Sequence, residues 1–283
     1  MGAVGIGAFK DAKADEIAAL KGLGRAELEA RARREGELFS PPDFAGALEA
    51  GVRARGIAVI AEYKRASPSL GEIETGVAPE EAAEAFRDAD CMSVLTEPRF
   101  FMGDISFLPR MSFAGVPMLR KDFVFHPLQI LDTAARRASA VLLIVRFIPG
   151  VAELRELVLL ARSLGLAPVV EVLGADELDT ARSAGADIVQ VNARDLDTLK
   201  VDLLASLRLI ESNPPRPGEF FIAASGLRDA TDMRLARLAG FRGALVGTAL
   251  MRGGRPRERL SEFLEGMKAP GPGGPQPAGG CLR

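Results

Sequence analysis

Short apolar runs alternate with longer amphipathic segments along the chain from Ile57 onward. The apolar runs, rich in Val, Ile, Leu and Phe, predict eight strands: Ile57–Tyr63, Met92–Leu95, Met118–Lys121, Ala140–Val145, Pro168–Val172, Ile188–Asn192, Phe220–Ala223 and Ala244–Gly247. The amphipathic segments predict eight helices: Pro79–Asp88, Ile105–Met111, Pro127–Arg137, Val151–Leu164, Ala175–Ala184, Leu203–Ser212, Ala230–Leu238 and Arg255–Met267. Nearly unbroken apolar strands of this kind are typical of a parallel sheet covered by helices.

Eight strand–helix units in about 210 residues predict a (β/α)8 TIM barrel, which is an α/β fold. The alternative is an open doubly wound sheet, whose nucleotide-binding members carry Gly-x-Gly-x-x-Gly at the first turn. That motif does not follow the first predicted strand, so the closed barrel is favoured.

The residues before the first strand predict helices. Lys13–Glu37 is rich in Ala, Leu, Glu and Arg and has a predicted break at Gly22–Gly24. Asp43 is a candidate N-cap for a short helix that extends to Ala50. These features predict a helical extension packed on the barrel.

The chain therefore divides into three predicted parts. Residues 1–50 form the N-terminal helical extension, 51–268 form the barrel, and 269–283 form a tail. Nine of the fifteen tail residues are Pro or Gly, a composition that predicts disorder because it buries little apolar surface. Cys281 lies in this tail and has no predicted role.

Composition narrows the range of functions. The net charge of −2 gives no electrostatic footprint for nucleic acid, and no apolar run reaches the ~18 residues of a membrane span. The N-terminal segment Met1–Lys13 lacks the features of a secretory signal. Two cysteines and one histidine exclude a zinc framework and predict a cytoplasmic protein without disulfides. Composition leaves open whether the protein is a monomer or a weak homodimer.

Four charged residues fall at or near predicted strand ends. Glu62 and Lys64 are two residues apart and therefore project from one face of the first strand. Lys121 ends the third strand, and Glu171 lies in the fifth. A single such residue is usually solvated or ion-paired, but four in register with the repeats predict an active site, since barrel enzymes carry their chemistry at the C-terminal strand ends.

Further candidates follow other strands. Ser225-Gly226 and Gly247-Thr248 come after strands 7 and 8, where this fold commonly binds phosphate through backbone N–H groups. Phe101 and Phe123 are candidate walls for an aromatic substrate, although packing alone would also explain them. His126 precedes Pro127 and is interpreted as a loop or helix-cap residue.

Seven ordered motifs resemble the indole-3-glycerol phosphate synthase family from the leading helices to about Met267. The motifs are I-A-E-Y-K-R-A-S-P-S-L-G (Ile60–Gly71), S-V-L-T-E (Ser93–Glu97), L-R-K-D-F (Leu119–Phe123), P-V-V-E-V (Pro168–Val172), V-N-A-R-D-L (Val191–Leu196), S-G-L (Ser225–Leu227) and V-G-T-A-L-M-R (Val246–Arg252). The family converts 1-(2-carboxyphenylamino)-1-deoxyribulose 5-phosphate, a phosphosugar, to indole-3-glycerol phosphate, CO₂ and water, without metal or cofactor.

The resemblance implies a catalytic role for five residues. Lys121 would be the general acid at the ribulose carbonyl during ring closure. Lys64 and Glu171 would act as acid and base in the later dehydration, in an order that stays open. Glu62 would hold the two lysines charged and oriented, and Asn192 would bind a substrate hydroxyl.

The resemblance also implies binding roles. Phe101 and Phe123 would flank the anthranilate ring, and Arg194 would hold polar groups at the mouth. Residues that would help to hold the phosphate or carboxylate are Ser67, Gly226, Gly247 and Thr248, and Ser225 would be a further substrate-binding residue.

The sequence departs from the family at three positions. Ala224 stands where the family usually has Glu, Leu70 where it has Lys, and Met102 where it has Asn. Two alternatives to the synthase are therefore considered. One is a weakened or substrate-shifted paralogue that acts on a related anthranilate-derived phosphosugar or serves as a binding protein. The other is a phosphoribosylanthranilate isomerase, which the missing Cys at strand 1 disfavours.

Overall fold

Eight parallel strands close into a barrel in the computed structural model, which describes residues 5–195 and 197–268. The strands, with a small hairpin after the first, are β1 (Ala58–Tyr63), β2 (Ala66–Ser67), β3 (Gly71–Glu72), β4 (Cys91–Leu95), β5 (Met118–Lys121), β6 (Ala140–Ile144), β7 (Ala167–Val172), β8 (Ile188–Asn192), β9 (Phe220–Ala224) and β10 (Gly243–Val246). β1 pairs with β4 on one side and with β10 on the other, which closes the sheet. The predicted TIM barrel is confirmed.

Helices precede the barrel and cover its outer face. They are α1 (Ile6–Asp11), α2 (Ala14–Leu23), α3 (Arg25–Leu38), α4 (Phe44–Arg55), α5 (Pro79–Ala85), α6 (Pro98–Phe101), α7 (Phe107–Met111), α8 (Pro127–Ala134), α9 (Val151–Ser163), α10 (Ala175–Ser183), α11 (Leu203–Ser212), α12 (Ala230–Ala239), α13 (Thr248–Met251) and α14 (Pro256–Lys268). No helix in this part of the chain is long and apolar enough to span a membrane.

Alternation along each strand separates two apolar cores. In β1, Ala58 and Ile60 belong to the cluster that fills the barrel, whereas Val59 and Ala61 belong to the larger cluster between strands and helices. This alternation directs every second residue of a strand into the barrel interior. Glu62 continues the inward series of β1 and thus lies on top of the interior apolar cluster.

The N-terminal extension differs from its prediction in three details. The break at Gly24 is present between α2 and α3, but α1 was not predicted. Asp43 occupies the predicted N-cap position of α4, but its side chain makes no capping hydrogen bond. α4 continues past Ala50 to Arg55 and ends at Gly56, whose left-handed φ of 79° terminates helices.

The boundary at residue 50 stays a prediction, and it falls inside α4. The predicted disordered tail, 269–283 with Cys281, lies outside the described residues. Most other element bounds agree with the predictions to within three residues. The β2–β3 hairpin was not predicted, since each of its strands has two residues and no alternating pattern.

Candidate active site

A cavity of about 980 Å³, including its open mouth, lies at the C-terminal ends of the barrel strands. Its size suits a small-molecule site. Every residue that the sequence singled out for the site lines it: Glu62, Lys64, Ser67, Phe101, Lys121, Phe123, Glu171, Asn192, Arg194, Ser225, Gly226, Gly247 and Thr248. The barrel thus brings together residues spread over 187 positions of sequence, from 62 to 248.

Glu62 lies between two ammonium groups. Its Oε1 is 2.6 Å from Nζ of Lys64, and its Oε2 is 3.8 Å from Nζ of Lys121. Burial opposes ionisation of this carboxyl, but the charges of Lys64 and Lys121 outweigh burial and hold the pKa of Glu62 below its ordinary value. Both lysine side chains keep some exposure to the cavity, 15% and 18%. One buried anion therefore orients two proton donors that a substrate can reach.

Glu171 lies in β7, across the barrel from this cluster, and is held by amides. Nδ2 of Asn192 donates to its Oε1 at 2.9 Å, and Nε2 of Gln190 donates to its Oε2. Oδ1 of Asn192 in turn accepts the Ser225 hydroxyl at 2.8 Å. Hydrogen bonds thus link the ends of β7, β8 and the loop after β9. The sequence did not indicate a role for Gln190, which lies inside the predicted strand Ile188–Asn192.

Arg194 joins two loops at the mouth. Its Nη1 donates to Oγ of Ser69 at 2.9 Å and to the carbonyl of Leu199 at 3.0 Å. Burial lowers the pKa of this guanidinium, and Glu62 opposes the shift. Arg194 therefore fastens the β2–β3 hairpin to the loop that follows β8.

The loops after β9 and β10 form one side of the cavity, and their backbone has unusual conformations and a close contact with Glu62. Ser225 and Gly226 both have left-handed backbone, with φ of 69° and 80°. A Cβ at Gly247 would overlap Oε1 of Glu62, so the glycine lets the chain pass close to this carboxylate. α13 starts at Thr248 but has only four residues, and α12 starts at Ala230, so in the described chain no long helix begins directly after Gly226 or Gly247.

Aromatic rings form another wall. The Phe101 and Phe123 rings are 6.2 Å apart between centroids, and Phe123 also stacks on Phe147 at 5.0 Å. Phe9, from α1, adds a ring 4.5 Å from Phe123 and 4.8 Å from Phe100. Phe9 lines the cavity although it lies in the N-terminal extension, and the sequence had not indicated this.

A buried ionic network connects the extension to β5. Nζ of Lys13 is 2.5 Å from Oδ1 of Asp122 and 2.7 Å from Oε2 of Glu16. Arg120, also buried, contacts Asp122 at 3.1 Å and Glu16 at 2.8 Å. Asp122 lies between Lys121 and Phe123 in sequence, so this network fixes the segment that carries both.

The three departures from the family pattern occupy different environments. Ala224 is buried and lines the cavity at the end of β9. Leu70 is 48% exposed in the turn between β2 and β3. Met102 follows α6 with left-handed backbone, at φ 52° and ψ 34°.

His126 and Cys91 lie outside the cavity lining. His126 is the N-cap of α8, where its Nδ1 accepts the backbone N–H of Leu128, which confirms its interpretation as a cap. Cys91 is buried as a free thiol in β4, and burial raises its pKa well above the ordinary value. It is therefore inert at neutral pH.

Comparison with known proteins was made on both sequence and structure. The family model described as "Indole-3-glycerol phosphate synthase" matches residues 8–263. An indole-3-glycerol phosphate synthase from Mycolicibacterium gilvum is 40% identical over 255 residues, covering 89% of this chain and 90% of the relative. One from Aquifex aeolicus is 36% identical over 252 residues, covering 83% and 97%.

Similar solved structures share the fold at low identity. A 3-hexulose-6-phosphate synthase has a TM-score of 0.61 at 16% identity and covers 74% of this chain and 99% of its own. KGPDC from Streptococcus mutans has a TM-score of 0.56 at 14% identity and covers 75% and 97%. Such likenesses support the barrel and say nothing further about the reaction.

Proposed function

The chain belongs to the indole-3-glycerol phosphate synthase family, and from this premise we propose how the residues of its cavity carry out the reaction. The protein is a carboxy-lyase of tryptophan biosynthesis. It closes the indole ring of 1-(2-carboxyphenylamino)-1-deoxyribulose 5-phosphate with loss of CO₂ and water. The observation that carries the proposal is the position of Glu62 between Lys64 and Lys121, with Glu171 lining the same cavity.

Ring closure is assigned to Lys121. Its ammonium donates a proton to the ribulose carbonyl oxygen while the ring carbon that bears the carboxylate attacks the carbonyl carbon. The new carbon–carbon bond interrupts the aromatic ring. Loss of CO₂ returns the electron pair of the broken bond to the ring and restores aromaticity.

Dehydration is assigned to Lys64 and Glu171. The hydroxyl formed at the former carbonyl leaves as water after taking a proton from the Lys64 ammonium. Glu171 accepts the proton that is released as the indole double bond forms. The two groups belong to β7 and to the end of β1, on different sides of the barrel, so they can act on different sides of the intermediate.

Glu62 and Asn192 support these groups. Glu62 keeps the two ammonium groups in place, because its two carboxylate oxygens face Nζ of Lys64 and Nζ of Lys121. Asn192 is the proposed ligand of a substrate hydroxyl, and its bond to Glu171 would place that hydroxyl beside the base.

The substrate has two anionic ends and one aromatic ring. The phosphate is assigned to the backbone N–H groups of Gly226, Gly247 and Thr248, which line the cavity after β9 and β10. Ser225, whose hydroxyl donates to Asn192, is assigned to the substrate beside them. Ser67 and Arg194 lie on the hairpin side of the mouth and are assigned to the anionic and polar groups there.

The anthranilate ring is assigned to the apolar side of the cavity, next to the wall that Phe101 and Phe123 form. Both rings line the cavity, and Phe9 backs Phe123. Flat apolar walls favour an aromatic ring over a hydrated sugar.

The cellular setting is also proposed. The tryptophan-pathway assignment and the reduced, buried Cys91 support a cytoplasmic enzyme with a small phosphosugar substrate. We expect a monomer or a weak homodimer.

The test is the reaction itself. The purified full chain is incubated with the carboxyphenylamino-deoxyribulose phosphate, and indole absorbance is followed. Lys121→Ala should lower kcat by at least about a hundredfold, as loss of a general acid does. Lys21→Ala, a substitution of an exposed lysine in α2, is the matched control and should leave kcat unchanged. Equal rates for wild type and Lys121→Ala would contradict the proposed role.

A further inference from the structure

Gln190 lies opposite Glu171 in the register of the neighbouring parallel strands β8 and β7. Its side chain is fully buried, and its Nε2 donates to Oε2 of Glu171. Asn192, two residues later on the same face of β8, donates to Oε1 at 2.9 Å. Each oxygen of the Glu171 carboxylate therefore receives one N–H from an amide, and both amides come from one strand.

We propose that Gln190 is a positioning residue that holds Glu171 as the base of the dehydration, an inference that rests on the proposed function of that carboxylate. The terminal torsion of a glutamate is soft, so one hydrogen bond leaves the carboxylate free to swing. Two donors on opposite oxygens fix its plane. The lone pairs that remain are then aimed in one direction, which a base requires.

The surroundings of Gln190 support this role. On the other side of β8 its register partner is Ile222, which is apolar, so the amide has its polar partner on the Glu171 side. A fully buried amide N–H in this interior is costly unless it is hydrogen-bonded. The bond to Glu171 both satisfies the amide nitrogen and orients the carboxylate.

Glu171 differs from the other carboxylates that line the cavity. Glu62 contacts two lysines, and Asp122 contacts Lys13 and Arg120. Glu97 accepts three backbone N–H groups at the start of α6. In the described part of the chain, Glu171 is held by two neutral amides, with one bond to each oxygen, so it keeps lone pairs to accept a proton.

Asn192 alone would not fix Glu171 equally well. Its Oδ1 already accepts the Ser225 hydroxyl and the backbone N–H of Arg194, so its position follows the loops after β8 and β9. Gln190 is deeper, inside the strand, and does not depend on those loops. We therefore assign to Gln190 the hydrogen bond that holds Glu171 in place, and to Asn192 the hydrogen bond on the side that faces the substrate.

The experiment compares two substitutions at the position. Gln190→Met fills similar space without a donor, and Gln190→Asn keeps an amide that is one methylene too short to reach Glu171. Both should lower kcat by about tenfold to a hundredfold and leave KM within about twofold, because an oriented bond to a charged group is lost while substrate contacts stay. Val189→Ala is the matched control, since Val189 is equally buried in β8 but faces the outer core.

A double-mutant cycle separates positioning from packing. Gln190→Met in a Glu171→Gln background should lower kcat no further, because there is then no base to position. If Gln190→Met does not fold, Gln190→Asn provides the same test. Full activity of either folded variant, or an equal fall in kcat for Val189→Ala, would overturn the role of Gln190. Full activity of Glu171→Gln would instead overturn the proposed base itself.

Discussion

Nζ of Lys13, at the start of α2, lies 2.5 Å from Oδ1 of Asp122, one residue beyond the end of β5. Both side chains are buried, at 1% and 0% exposure. Burial opposes ionisation of Asp122, but the Lys13 ammonium and the Arg120 guanidinium outweigh it and lower the pKa of this carboxyl. The N-terminal extension is thus attached by a charge to the residue that follows the proposed general acid, Lys121.

Replacing Lys13 by Met should destabilise the protein by about 3 kcal/mol, because a buried carboxylate loses its ammonium partner. It should also lower kcat, since the segment that carries Lys121 loses its anchor. Urea unfolding and the indole assay measure the two effects. Lys21→Met, at an exposed position of the same helix, is the control and should change stability by less than about 0.5 kcal/mol. Indistinguishable unfolding midpoints for the two variants would contradict the anchoring role.

Glu62 makes stability depend on pH. Its pKa is below the ordinary value of 4.5 in the folded protein, so the unfolded chain binds its proton more readily. This group therefore stabilises the fold above pH 4.5, and that contribution is lost as the pH falls through the lower, folded-state value. Glu62→Gln should show a smaller loss of unfolding free energy between about pH 6 and acid than wild type does.

The same substitution should lower kcat at neutral pH by at least about tenfold, because Lys64 and Lys121 lose their common anion. Urea unfolding over a pH series and the indole assay give both readouts. Exposed Glu37→Gln is the control and should leave the pH profile unchanged. Parallel stability curves for wild type and Glu62→Gln would show that the pair interactions of Glu62 contribute nothing.

Much of the fold could be predicted because the eight apolar strands repeat along the chain with helices between them. The site followed from one further rule, that chemistry gathers at the C-terminal strand ends, together with the family motifs. Elements without periodicity were missed. The β2–β3 hairpin has two residues in each strand, and α1 has six residues in a segment rich in Gly and Ala.

Three residues in or near the cavity could not be predicted from the sequence, for a different reason. Phe9, Lys13 and Gln190 act through partners more than 15 positions away in sequence, and nothing local marks them. Lys13 is one of several lysines in the leading helices, and its burial becomes evident when Asp122 is placed next to it. Residues of this kind need the three-dimensional arrangement.

A further prediction concerns Gly247. A Cβ at this position would overlap Oε1 of Glu62, although its φ of −123° suits any residue. Gly247→Ala should therefore push Glu62 away from Lys64, lower kcat, and cost about 1–3 kcal/mol of stability through overpacking. Gly36→Ala is the matched control. Gly36 lies exposed in α3 with open space at its Cβ position, so alanine there should stabilise the helix by about 0.5–1 kcal/mol. Unchanged activity of Gly247→Ala would show that Glu62 has room to move.

Met102 carries a local strain that substitution should relieve. Its left-handed φ of 52° is unfavourable for a residue with a long side chain, whereas Asn tolerates it. The next residue, Gly103, packs so closely on the carbonyl of Leu95 that a Cβ there would overlap it.

Met102→Asn should stabilise the protein by about 0.5 kcal/mol, measured by thermal unfolding. Met102→Leu is the control, because leucine keeps an apolar side chain of similar size and the same backbone penalty, so it should bring no gain. Since Met102 is 37% exposed, little packing is lost in either variant. An equal gain from both substitutions would assign the effect to the removed thioether, and no gain from Met102→Asn would show that the turn carries no strain at this residue.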